Sequence, residues 1–157
     1  MAPSHHLRYR QEGVTLAEVM AVLAILIVLV AIAIPTFSGV TNQAKDAEAK
    51  AELREVLVPV KTVNIEDPTT PDLVAAVLAM APGTAIDPSG VTGVKVERST
   101  DGAICLWRIS DSNSVLGMWE PPLGADSPTL FAELATMPAT CPTFAQAPAA
   151  GFSTTGW

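Results

Sequence analysis

The sequence predicts an α+β protein in which a long N-terminal helix packs on a small antiparallel β-sheet. An almost entirely apolar stretch runs from Val14 to Ile34, and a helical repeat of apolar residues continues beyond Pro35. Three alternating runs separated by turn residues follow between positions 91 and 119. The whole chain has 157 residues, which allows one modest soluble domain after the apolar stretch.

The apolar stretch is long enough to cross a bilayer. Its only polar residues are Thr15 and Glu18, and as a helix it would be about 31 Å long. Arg8 and Arg10 precede it, and basic residues on that side favour a cytoplasmic N-terminus with the remainder of the chain outside. We therefore expect a single membrane-spanning segment.

Beyond the apolar stretch the same helix is expected to become amphipathic and to pack on the sheet through small residues. Apolar residues recur every three or four positions, at Phe37, Val40, Ala44, Ala47 and Ala51. Pro35 removes one helix hydrogen bond and predicts a kink, with two separate helices as the alternative. The helix is expected to end before Pro59, because the residue before a proline avoids the helical conformation, and residues 60–71 read as a loop.

The rest of the chain predicts two short helices around a three-stranded meander. One helix covers residues 71–81, with Thr70 as its N-cap and Pro82-Gly83 as its stop. The other begins at Ser127-Pro128 and ends near Ala135. The strands are 91–99, 103–110 and 114–119, with turns at Asp101-Gly102 and at 111–113.

The second strand has two partly apolar faces. Cys105 and Trp107 lie on one face, and Ile104 and Leu106 lie on the other. We expect the face with Cys105 and Trp107 to pack on the long helix. Trp107 and Trp119 are interpreted as core residues and not as ligand-stacking ones.

Composition argues against several classes of function. The chain has 9 Lys and Arg against 16 Asp and Glu, which does not favour binding to a phosphate backbone. The only histidines, His5 and His6, precede the apolar stretch, and no phosphate loop or metal-binding Cys spacing occurs. We therefore expect no enzyme, no cofactor and no metal site, although a weak calcium site among loop carboxylates stays open.

Two cysteines, Cys105 and Cys141, both follow the apolar stretch. Two free buried thiols are one reading, but a location outside the membrane favours a disulfide between them. The loop-entropy model gives such a bond roughly 4 kcal/mol as an upper figure.

The N-terminal residues carry a more specific pattern. Gly13 is followed by Val-Thr-Leu-Ala-Glu, the apolar run and Pro35, all in one register. This resembles the processing and assembly region of type IV pilins and of the pseudopilins of type II secretion. The resemblance implies cleavage by a prepilin peptidase after Gly13, N-methylation of Val14, and a role for Glu18 in assembly. Two residues depart from the family pattern, since Val14 stands where phenylalanine is usual and Ala17 where isoleucine or another large apolar residue is usual.

Glu18 has two interpretations that the sequence leaves open. The run from Thr15 to Glu18 reads as a capping box, in which the glutamate returns to the backbone N–H of Thr15. In a bundle of cleaved subunits, the new amine at Val14 of one chain could instead neutralise Glu18 of another.

The resemblance also implies a domain plan and partners. Residues 1–13 would be a cleaved leader, 14–35 a transmembrane and filament-core helix, 36–141 a pilin-like soluble domain, and 142–157 a flexible tail. The disulfide Cys105–Cys141 resembles the bond that bounds the exposed C-terminal region of pilins. Expected partners are copies of the chain or other pilins, the prepilin peptidase, and the assembly platform with its ATPase. The alternatives are a pseudopilin of a secretion or DNA-uptake machine and a membrane-anchored binding domain that does not polymerise.

Overall fold

The computed structural model describes residues 13–157, except for the side chains of residues 34–38. Most of the predicted leader, residues 1–12, and the side chain of Pro35 lie outside the described residues. The chain forms two compact units that divide between Gly39 and Val40. The helices are α1 (Leu16–Glu66) and α2 (Leu73–Met80), and the strands are β1 (Lys95–Arg98), β2 (Ile104–Ile109), β3 (Val115–Glu120) and β4 (Leu130–Leu134).

The first unit consists of the apolar part of α1. Every side chain described between Val14 and Ala33 is exposed. The segment Leu16–Ala33 is long and apolar enough to cross a membrane, by length and composition. Its backbone hydrogen bonds are made within the helix, whereas its side chains stay exposed.

In the second unit α1 continues through Pro59 to Glu66, so the expected end before Pro59 and the loop over 60–66 are wrong. A proline costs a helix interior about 3 kcal/mol. Against this cost, Val56, Val60 and Val63 are at most 5% exposed, and burying each contributes about 1.5 kcal/mol or more. The free energy gained from this tertiary packing exceeds the cost of the proline, so the helix continues beyond Pro59. The continuous helix also rules out two separate helices at Pro35, whereas the kink there stays a prediction.

The face of α1 that packs on the sheet differs from the expected one. Ala44, Ala47 and Ala51 are exposed. The packed residues share a different stripe, which is Ala49, Leu53, Val56, Val60 and Val63. This stripe contains the larger aliphatic side chains, which bury more apolar area than alanines do.

The four strands form one antiparallel sheet in the order β1-β2-β3-β4. The helix predicted from Ser127 to Ala135 is wrong, because Leu130–Leu134 is strand β4 and pairs with β3. Leu130 and Ala132 are buried in one face of the sheet, whereas Glu133 lies on the other face and is exposed, as alternation along a strand allows. Pairing with the open side of β3 outweighs the helix propensity of this short segment.

Helix α2 begins later than expected. Its N-cap is Asp72 and not Thr70, and the Asp72 carboxylate accepts a hydrogen bond from Ala75 N at 2.9 Å. After its last turn Gly83 adopts a φ of 111°, a conformation that glycine allows at little cost. Leu73 and Val77 attach the helix to the core shared with α1.

Both faces of the sheet are buried, and the face opposite to the expected one packs on α1. Ile104 and Leu106 join the α1 core, whereas Cys105 and Trp107 belong to a second core on the other side. Trp107 and Trp119 are fully buried, so their core assignment is confirmed. Gly117 is paired with Trp107 across the strands, and a Cβ at Gly117 would lie 2.4 Å from the indole ring.

Residues 142–157 cover that second core, whereas the sequence predicts a flexible tail. Ala147 and Phe152 are buried, and the Phe152 ring lies 5.2 Å from that of Trp107. At the end of the segment Trp157 Nε1 donates to Ala132 O at 2.9 Å. The prediction of a flexible tail followed from a composition rich in Ala, Pro and Gly. It did not account for the few large side chains that attach this segment to the sheet.

Candidate functional site

The first turn of α1 contains a closed capping box. Thr15 N and Thr15 Oγ1 both donate to Glu18 Oε2, each at 2.9 Å. In return Glu18 N donates to Thr15 Oγ1 at 3.3 Å. These bonds satisfy backbone donors that the start of a helix leaves unpaired. Of the residues that the sequence singled out at this helix start, Thr15 and Glu18 are therefore in direct contact.

The peptide bond between Gly13 and Val14 is accessible. Gly13 and Val14 precede the first residue of α1, and Val14 is 73% exposed. A Cβ built on Gly13 would meet no atom within 4 Å. A glycine is therefore not needed here for internal packing, and a protease could approach the bond from outside the chain.

Residues 8–34 match a family model described as the prokaryotic N-terminal methylation motif. The match spans the glycine, the capping box and most of the apolar helix in one register. The chain carries a prepilin-type methylation motif. This motif is the prepilin-type cleavage and methylation region of type IV pilins and pseudopilins, and its match to residues 8–34 supports a pilin-like or pseudopilin precursor.

The architecture agrees with the motif. An N-terminal apolar helix that continues onto a four-stranded antiparallel sheet is a pilin-like α+β arrangement. The apolar helix and the motif together fit anchoring in a membrane. Neither the comparison with characterised proteins nor the comparison with solved structures gives a match.

The disulfide between Cys105 and Cys141 is present and joins β2 to the start of the C-terminal segment. Its Cα atoms are 5.5 Å apart and the two residues are separated by 36 positions. Both cysteines lie in the second core, where Trp119 Nε1 donates to Pro142 O at 2.9 Å. The bond and this hydrogen bond hold the beginning of the C-terminal segment against the sheet.

Asp101 is a junction that the sequence did not identify, because an Asp-Gly pair reads as an ordinary turn. Its carboxylate accepts hydrogen bonds from Ser99 Oγ, Ala103 N and Phe144 N, the last at 2.6 Å. Burial raises the pKa of Asp101, but these hydrogen bonds lower the pKa by more, so it lies below its ordinary value. The carboxylate thereby ties the β1–β2 turn to the C-terminal segment.

The end of the chain also contacts α1. Lys50 Nζ lies 5.6 Å and Arg54 Cζ 5.8 Å from the centre of the Trp157 ring. Lys50 and Arg54 are one helical turn apart, and such a like-charge spacing is unfavourable on its own. The shared aromatic ring offsets this repulsion.

The described residues contain no group of three or more His, Cys, Asp or Glu side chains that could hold a metal ion. Asp87 is one of the scattered loop carboxylates among which the sequence left a weak calcium site open. Its carboxylate accepts hydrogen bonds from Ser89, Val91 and Thr92. Hydrogen bonding, first of all from the Ser89 hydroxyl, holds the Asp87 pKa well below its usual range.

Proposed function

We propose that this chain is a structural subunit of a type IV pilus-like filament and not an enzyme. The observation that supports the proposal is the match of residues 8–34 to the methylation motif, a range that includes Gly13, Val14 and Glu18. In this proposal a prepilin peptidase cuts after Gly13, and Val14 becomes the N-methylated first residue. The N-terminal helices then pack together as the core of a filament.

The exposed apolar helix supports assembly. None of the side chains described from Val14 to Ala33 is buried within the chain, so they need lipid or other helices around them. The subunit would first span the cytoplasmic membrane with its second unit outside. It would then be moved by the assembly platform and its ATPase into an extracellular filament.

Glu18 is the proposed assembly residue. A charged side chain costs about 2.5–3.5 kcal/mol at the centre of a membrane helix and less near its end, where Glu18 lies. A partner of opposite charge offsets such a cost. Cleavage after Gly13 would place a cationic amine on Val14, four positions before Glu18. In a helical array the amine of one subunit would pair with Glu18 of a neighbour, while Thr15 continues to donate to the same carboxylate.

Two alternatives share parts of this description. A pseudopilin of a secretion or DNA-uptake machine would have the same motif, and the cystine favours the pilus. A membrane-anchored binding domain that does not polymerise is favoured by one observation, because the capping box already satisfies Glu18 within a single chain. In that case Glu18 would have only a local role.

Glu18→Gln separates the filament subunit from the solitary anchor. Glutamine retains the size and an acceptor oxygen for Thr15 but removes the charge. Because a hydrogen bond to a charged group contributes about 1.5–3 kcal/mol, we expect incorporation into sheared filaments to fall at least about tenfold. Membrane insertion and cleavage should stay near normal, as shown by blotting of membrane fractions and by the mass of the mature N-terminus.

The matched control is Glu48→Gln, which removes a charge from an exposed position of α1. This variant should enter filaments at the unmodified level. If Glu18→Gln also enters at that level, the intersubunit role of Glu18 is refuted and the capping role is sufficient.

A further inference from the structure

The part of α1 that belongs to the second unit carries an exposed line of apolar residues. Val40 is 64% exposed, and Val58 and Ile65 are each 66% exposed. Scattered apolar residues are ordinary on a protein surface, but spacings of three, four and seven residues are typical of helices that pack side by side. Such spacings connect the members of this line, which we call the outer stripe: Val40, Ala44, Ala47, Ala51, Val58 and Ile65.

The outer stripe lies on the side of α1 opposite to its packed side. Val58 and Ile65 are each two residues from a buried valine, Val60 and Val63 respectively. Two residues turn a helix by about 200°. Because the buried valines face the sheet, another helix can approach the outer stripe without displacing the sheet.

One border of the outer stripe is acidic. It consists of three exposed carboxylates, those of Glu48, Glu55 and Glu66. Within the part of the chain that the structure describes, no Lys or Arg forms an ion pair with any of the three. Glu52 differs, because it lies closer to the sheet and pairs with Arg108. The acidic border therefore has no countercharge in its own chain.

The other border is basic. Lys50 Nζ and Arg54 Cζ lie over the Trp157 ring, at 5.6 and 5.8 Å from its centre. A contact with an aromatic face does not use up the N–H donors, and neither cation pairs with a carboxylate of the described residues. Lys61 is excluded from this border, because it pairs with Glu120 at 2.6 Å.

The two borders make the outer stripe complementary to itself in one orientation. When two such helices pack stripe to stripe in parallel, the acidic border of each runs along the basic border of the other. In an antiparallel pair, acidic borders would face each other and repel. At equal height Arg54 of one copy lies beside Glu55 of the other, because consecutive residues of the helix occupy the two borders.

We propose that two membrane-anchored copies of this chain pair in parallel through the outer stripe. A partner with charges of one sign would satisfy only one border, whereas a second copy supplies both signs. The candidate membrane segment Leu16–Ala33 precedes the outer stripe in the chain, so copies anchored in one membrane enter it from the same side. That is the orientation that the charges favour. The inference rests on membrane anchoring and does not depend on filament formation.

The test is oxidative crosslinking of the full chain in lipid vesicles at one low ratio of protein to lipid. Ala51→Cys places a thiol in the middle of the outer stripe, and Ala149→Cys places one on the exposed side of the C-terminal segment. The described cysteines form a disulfide with each other, so the unmodified protein should give no linked dimer. Because a new disulfide needs directly facing residues, Ala51→Cys should form dimers at least about tenfold faster than Ala149→Cys.

Reversal of charge separates paired helices from chance encounters. In the Ala51→Cys protein, Arg54→Glu places like charges opposite each other and should slow dimer formation at least about fivefold. Glu55→Arg should act similarly. The combined variant Arg54→Glu/Glu55→Arg exchanges the two borders and should recover to within about twofold. It also lacks the contact of Arg54 with Trp157, so loss of that contact alone cannot explain the slower single variants.

Three results would overturn the inference in variants whose denaturant unfolding is unchanged. They are equal rates for Ala51→Cys and Ala149→Cys, no effect of either single reversal, and a combined variant that stays as slow as the single ones. Dimers that depend on charge, found without any filaments, would refute the proposed filament and leave this inference standing. Filaments without such dimers would overturn this inference alone.

Discussion

The apolar part of α1 and the unit from Val40 to Trp157 differ in how far the chain itself covers their apolar side chains. The second unit has two internal cores, in which Leu53, Trp107 and Trp119 are fully buried. The apolar part of α1 has none, and Leu23 remains 52% exposed. Hydrophobic burial is the main favourable term in folding. The second unit therefore obtains this term from its own residues, whereas the apolar helix has to obtain it from lipid or from other helices.

Processing at Gly13 provides the sharpest test of this difference, because it concerns only the part that needs external partners. Gly13→Leu should leave most of the protein as uncleaved precursor, since a bulky residue next to the scissile bond blocks the peptidase. The N-terminal residue is read by mass spectrometry, with Val14 expected in the unmodified protein. Gly39→Ala is the control, because a Cβ there also meets nothing within 4 Å. Finding residues 1–13 on most of the surface-assembled protein would refute the proposed cleavage.

Replacing a leucine in each region compares the two directly. Leu53→Ala opens a cavity in the α1 core and should lower the free energy of unfolding of the second unit by about 2–5 kcal/mol. Leu23→Ala should leave that free energy within about 0.5 kcal/mol of the unmodified value. Both are measured by denaturant unfolding of the full chain in detergent, followed by tryptophan fluorescence. Equal effects would mean that the apolar helix contributes to the core of the second unit.

The disulfide is expected to have an intermediate effect. Changing Cys105 and Cys141 together to alanine should lower the free energy of unfolding of the second unit by about 2–4 kcal/mol. A reducing agent should weaken the unmodified protein to a similar extent and leave the double variant unchanged. Two free thiols in exported protein alkylated without reduction would contradict the bond.

The smallest expected effect concerns Asp101. Its pKa is lowered in the folded chain, so its contribution is complete above the unfolded-state pKa of about 3.9 and is lost as the pH falls through the folded-state pKa. Asp101→Asn should therefore destabilise the second unit by about 1 kcal/mol or less at pH 7. The difference from the unmodified protein should shrink as the pH is lowered below about 3.9, as followed by thermal unfolding. A difference that stays constant over this range would assign the effect to packing and not to charge.

The sequence predicted the features that depend on local patterns. The apolar helix, the capping residues Thr15 and Glu18, and the meander strands follow from hydrophobic period and turn residues. The cysteine pairing followed from the expected compartment. Each of these needs only neighbouring residues or a single environmental argument, and for that reason the candidate site at the helix start was found without coordinates.

The features that were missed depend on tertiary packing. Pro59 marks a helix end locally, but the valines around it are buried against the sheet. The segment Leu130–Leu134 has helix-forming residues, yet an open strand beside it decides its conformation. The choice between the two faces of β2 could not be made from apolar character, because both faces are covered. Residues 142–157 were expected to be a flexible tail because nothing local shows that Phe152 has a tryptophan to pack on.

The covering of the second sheet face by the C-terminal segment sets an order of events during biosynthesis. Apolar side chains of α1 and the sheet can associate once β3 has been made, but Trp107 and Trp119 stay uncovered until the last residues follow. Cys105 cannot form its disulfide until Cys141, 36 positions later, has been made. Since a chain is made from its N-terminus, the helix is available to the membrane before either core is complete. The second core of the second unit is therefore complete only after the C-terminal segment has been made and has packed on Trp107 and Trp119.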